Sequence, residues 1–77
     1  MNERSDKSGK TRRNIEILFV EESIAAARAE IFAMKAKKEG RRQVAPLFAA
    51  IAQSSSVRAR RFLRLLRGVI GGTEENL

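Results

Sequence analysis

The sequence predicts an all-α protein, an antiparallel two-helix hairpin that dimerises into a four-helix bundle. Three observations point there. Apolar and small residues recur at three-then-four spacing along two stretches. A single glycine, Gly40, separates those stretches. At 77 residues and with no cysteine, the chain has room for one small core and no disulfide to support it, which leaves oligomerisation as the stabiliser.

Taken in order, residues 1–13 carry Arg4, Lys7, Lys10, Arg12 and Arg13 without apolar periodicity, and are expected to form a disordered basic tail. The first helix is expected to start at Asn14, a good N-cap type. Its apolar face is read from Ile15, Leu18 and Phe19, then Ala25, Ala26, Ala29, Phe32, Ala33 and Ala36. Gly40 can adopt the left-handed conformation that closes a helix.

The period resumes at Val44 and continues through Leu47, Phe48, Ile51, Ala52, Ala59, Phe62, Leu63, Leu66 and Val69. Pro46 must sit in the first turn of this second helix, where its missing donor costs little, so a start near Arg42 is expected. The hairpin is assigned to residues 14–68, and residues 69–77, with Gly71, Gly72 and an acidic tip, to a flexible tail. A connection this short between helices each about 37 Å long forces them antiparallel. Two helices cannot cover an apolar face that runs around Phe19, Phe32, Phe48 and Phe62, and a second copy related by a two-fold axis would.

Polar residues interrupt both apolar seams. Glu22 falls in the gap of the first, and Ser55 and Arg58 fall in the gap of the second. Glu22 lies 18 residues before Gly40 and Arg58 lies 18 after it, so an antiparallel hairpin sets them at one level. An inward carboxylate is costly unless paired, and a guanidinium is well shaped to pair with it. A Glu22–Arg58 ion pair is therefore expected, with Ser55 one turn nearer the connection. The alternative is a Glu22 at the border of the stripe, reaching solvent.

The rest of the composition narrows the chemistry. There is no histidine, which removes the usual general base and the commonest metal ligand and leaves Ser54, Ser55 and Ser56 without an activating partner. The net charge of +7 favours anionic partners through a long-range field. Arg60, Arg61, Arg64 and Arg67 offer an anion-binding face, and nucleic acid is a candidate partner. The same cations also suit a solvated helix C-terminus, and there is no Tyr or Trp to stack on bases. No apolar run reaches the length of a membrane span, so a cytoplasmic protein with no membrane partner is expected.

Residues 14–67 resemble one helical hairpin of the rubrerythrins, in the ferritin-like di-iron group. The matching features are Asn14 and Phe19 ahead of Glu22-Ser23, then Phe32-Ala33 and Ala36 before Glu39-Gly40, then Gln43-Val44-Ala45, Leu47-Phe48, Ala50-Ile51-Ala52, Val57 and Ala59-Arg60. The resemblance implies a ferritin-like bundle. It also implies a metal-binding glutamate at Glu22 and a Glu-x-x-His pair at the places held here by Ser55 and Arg58. One ligand of three survives, since serine is a weak neutral ligand and arginine a permanent cation. The resemblance thus points to a di-iron site largely lost, with no cofactor and a non-catalytic structural or interaction dimer. Residual iron binding, on Glu22 with Glu21 or Glu30, is the alternative.

Overall fold

The computed structural model describes residues 3–70, with side chains placed for residues 9–69. It contains two helices, α1 (Glu3–Lys38) and α2 (Val44–Ile70), packed against each other as a hairpin. The fold measures 58 × 27 × 12 Å, and its thinnest dimension is the width of one helix layer. Ordinary domains bury their apolar faces between two layers. Here one layer stands alone.

The connection is built around Gly40, whose φ of 76° lies in the left-handed region. The Arg41 N–H donates to the Ala36 carbonyl at 2.8 Å and the Gly40 N–H to the Lys37 carbonyl at 3.1 Å. This crossed pair is a Schellman closure, which satisfies the carbonyls left unpaired at the end of α1. The Arg41 carbonyl then accepts from Val44 and Ala45 and opens α2. Pro46 is the third residue of α2, where no donor is missed.

Three boundaries differ from the sequence expectation. The start of α2 is Val44 rather than Arg42. The start of α1 is Glu3 rather than Asn14, so residues 3–13, read as a basic tail, continue the helix. Extending an existing helix needs no new nucleus, Lys, Arg and Glu are good helix formers, and Gly9 costs only about 1 kcal/mol. An Arg12–Glu16 pair at 3.6 Å adds a bridge between successive turns. Residues 9–14 are exposed, so this part of α1 lies ahead of the packed seam. The expected tail at 69–77 is helical through Ile70, and residues 71–77 lie outside the described residues.

The seam itself is made of small side chains. Ala29 and Ala36 of α1, with Ala52, Ser55 and Ala59 of α2, are the buried residues among those described. Alanine lets two helix backbones approach closely, and larger apolar side chains are pushed to the flanks. Phe32 and Phe48 meet there with ring centroids 5.4 Å apart and planes tilted by 43°, within the range of favourable aromatic pairs. Leu18, Phe32, Leu47, Ile51 and Leu63, read from sequence as core, remain 36–64% exposed. They lie beside the seam rather than in it.

Candidate functional site

The polar cluster forms where the two seams are interrupted. Glu22 shares a helix row with Ile15, Ala29 and Ala36, at seven-residue spacing, and that row faces α2. Ser55 and Arg58 are three apart on α2 and lie on one side of it. Glu22 and Arg58 are equally far along the chain from Gly40 and Ser55 lies one turn nearer it, which brings the three together although Glu22 and Arg58 are 36 residues apart in sequence.

Arg58 Nε donates to Glu22 Oε2 at 2.9 Å, and Arg58 Nη2 reaches the Ser55 Oγ at 3.4 Å. Ser55 is 2% exposed. The side chains of Glu22 and Arg58 are 22% and 50% exposed, so the pair sits at the open edge of the hairpin with the hydroxyl beneath it. The Arg58 hydrogen bond holds the Glu22 carboxyl below its ordinary value; partial desolvation opposes this, and the Arg58 charge and the Ser55 hydroxyl reinforce it. The site therefore keeps a carboxylate ionised and occupied by a guanidinium.

Other candidate residues lie elsewhere. Glu21 and Glu30 are exposed on α1, and neither joins Glu22. Among the described residues no three His, Cys, Asp or Glu side chains converge in a way that could hold a metal ion. Arg60, Arg61, Arg64 and Arg67 are all exposed along α2, and among the described residues none lies within ion-pair distance of a carboxylate. Arg60, Arg64 and Arg67 share one face by their spacing of four and three. No described helix is long and apolar enough to cross a membrane.

A further set of residues escaped the sequence reading. Ile17, Val20, Ile24, Ile31 and Met34 of α1 are 46–67% exposed, on the side of the helix away from the seam. The single-stripe reading of α1 passed over them because the α2-facing stripe already satisfied the helical period. Their spacing, which alternates three and four once Ala27 is counted between Ile24 and Ile31, is the available signal.

Comparison with known proteins finds no matching family model and no matching solved structure. The chain is 36% identical over 86 aligned positions to the rubrerythrin of Porphyromonas gingivalis (strain ATCC BAA-308 / W83), in an alignment that covers 96% of this chain and 43% of the relative. It spans less than half the length of the curated relative it matches. Nearly the whole of this hairpin is thus related in sequence to a segment of a rubrerythrin, and the chain is rubrerythrin-like.

Proposed function

We propose that this chain is a rubrerythrin-like helical pair in which an ion pair has taken the place of iron, and that it serves as a non-catalytic structural or interaction dimer. The observation that carries this reading is the 2.9 Å bond from Arg58 to Glu22. By the resemblance, Glu22 stands at the position of a metal-binding carboxylate and Ser55 and Arg58 stand where a Glu-x-x-His pair would. One carboxylate, one hydroxyl and one guanidinium do not fit a pair of iron ions. Such a centre needs several anionic or imidazole donors to offset its charge, and arginine brings charge of the wrong sign.

The dimer in this reading covers the open side of the hairpin, where Phe32 and Ile51 are 47% and 50% exposed. A second hairpin laid there completes a two-layer bundle and removes the Glu22–Arg58 pair from water. The function is then the surface of the bundle rather than chemistry inside it.

Anaerobic reconstitution with ferrous iron, followed by desalting and measurement of metal per chain, tests the reading. Retention at background level is expected. Stoichiometric iron would overturn it in favour of residual metal binding, with carboxylates from two chains sharing the ion.

A second reading follows from the four exposed arginines of α2, which have no carboxylate partner among the described residues. They suit an anionic polymer such as nucleic acid, bound without sequence preference and lost steeply as salt rises. Absence of binding to mixed DNA at low salt would remove it.

A further inference from the structure

The helix α1 has two apolar faces, and only one of them meets α2. On the other, Ile17, Val20, Ile24, Ala27, Ile31 and Met34 follow each other at alternating spacings of three and four. Every one of the six is exposed, from 46% at Ile17 to 67% at Met34 among the larger side chains. An apolar row of this period, 18 residues and about 27 Å long, is the seam of a coiled coil, with isoleucine at each a position. Polar rows flank it: Asn14, Glu21, Arg28 and Lys35 on one side, Glu16, Ser23, Glu30 and Lys37 on the other. The outer side of α2 instead sets Val57 among Gln53, Arg60, Arg61 and Arg64, so a continuous apolar row of this kind belongs to α1.

We propose that this face pairs with the same face of a second copy, antiparallel, about a two-fold axis that passes between Ala25 and Ala26. The flanking charges select that arrangement. In it Glu21 faces Arg28 of the second copy and Glu16 faces its Lys37, and symmetry repeats each contact, while Asn14 and Ser23 face Lys35 and Glu30 without a clash of charge. Ile17 packs over Met34, Val20 over Ile31, and Ile24 over Ala27, whose small side chain lets the helices close at the centre.

The alternatives are penalised. A shift of one heptad in either direction sets Glu21 against Glu21 or Arg28 against Arg28. A parallel pair sets Glu16 against Glu21. Like charges at flanking positions oppose association and fix register in coiled coils. The Glu16–Arg12 bridge seen within one chain is exposed and long, and such surface pairs exchange partners at little cost.

This surface lies away from the open side around Phe32 and Ile51, and the pairing does not depend on the fate of the iron site. Sedimentation equilibrium of the full chain at low salt tests it. Glu21→Arg and Arg28→Glu each turn two attractive contacts into repulsive ones, and each is expected to raise the dimer dissociation constant about tenfold. The double reversal E21R/R28E is expected to recover the wild-type constant to within about threefold, because it restores the contacts with their signs exchanged. Ile24→Glu is expected to abolish the pairing, with circular dichroism showing the helices retained.

A wild-type chain that stays monomeric, or a double reversal as weak as the single ones, would overturn the proposal. So would an Ile24→Glu chain that dimerises with the wild-type constant. Ile51→Glu reports separately on the open side: loss of dimer there with Ile24→Glu unaffected favours the bundle over the α1 pairing, and the converse result favours the α1 pairing over the bundle.

Discussion

Arg58 Nε donates to Glu22 Oε2 at 2.9 Å across the two helices, and the two residues are equally far along the chain from Gly40. Equal spacing from a turn sets two residues at one level of an antiparallel hairpin. Their side chains then meet because both seams lack an apolar residue at that level. The pair is a product of topology and pattern together.

Replacing Arg58 with methionine keeps the side-chain volume near the original and removes the charge. Glu22 then loses its donor while the Ser55 hydroxyl stays beneath it. The melting temperature, read at one fixed protein concentration, is expected to fall by a few degrees. An unchanged value would mean that the pair contributes nothing measurable to stability, as is common for exposed ion pairs.

The pH dependence follows from the direction in which Glu22 is shifted. Its carboxyl is lowered in the folded chain from an ordinary value of 4.5. A depressed carboxylate contributes stability that is fully present above the unfolded value and is lost as pH falls through the folded one. Wild type should therefore lose its advantage over Glu22→Gln progressively below about pH 4.5, in thermal melts taken from pH 6 downwards. A difference that persists unchanged at the acid end would assign the effect to something other than this carboxylate.

The proposed replacement of a metal site by an ion pair can be tested in reverse. Ser55→Glu together with Arg58→His builds the Glu-x-x-His pair that the resemblance implies for these positions and removes the cation. Ser55 is 2% exposed, so the larger side chain is expected to destabilise the metal-free protein by about 1–3 kcal/mol through overpacking. Added ferrous or zinc ions are then expected to raise the melting temperature of this variant and leave that of the wild type unmoved.

Gly40→Ala isolates the cost of the turn. A methyl group there meets nothing within 4 Å, so the penalty comes from the backbone, at a φ of 76°. A loss of about 1 kcal/mol is expected, or roughly 4–8 °C in melting temperature for a domain of this size. Asparagine, which tolerates the left-handed region better, should lose less.

Much of this was legible in the sequence because it rests on local rules. Gly40 announces the turn, Pro46 places the start of α2 to within a turn, and the period along α2 finds Ala52 and Ala59 of its inward face, while Leu47, Ile51 and Leu63 of the same stripe stay exposed. The contact of Arg58 with Glu22 followed from counting residues. What the sequence reading missed has physical causes as well. The start of α1 carries no breaker at Asn14, and a helix continues through charged residues until something stops it. Hydrophobicity ranks leucine and phenylalanine above alanine, so the sequence points to the large side chains as the core. Close helix contact favours small residues instead, so Ala29, Ala36, Ala52 and Ala59 form the seam. A second apolar face on α1 was hidden by the first, since a helix apolar on two sides has a weak net direction.

The hairpin topology also orders the assembly of the fold. Every contact between α1 and α2 closes a loop centred on the Gly40 connection, and the length of that loop grows steadily with distance from it. Closing a loop costs more entropy the longer it is, so the alanine seam should zip from the turn outwards, with the contacts around Ala36 first and those around Ile15 last. The Glu22–Arg58 clasp lies more than halfway along this path. Amide hydrogens on the turn side of this clasp are therefore expected to exchange more slowly than those on its distal side.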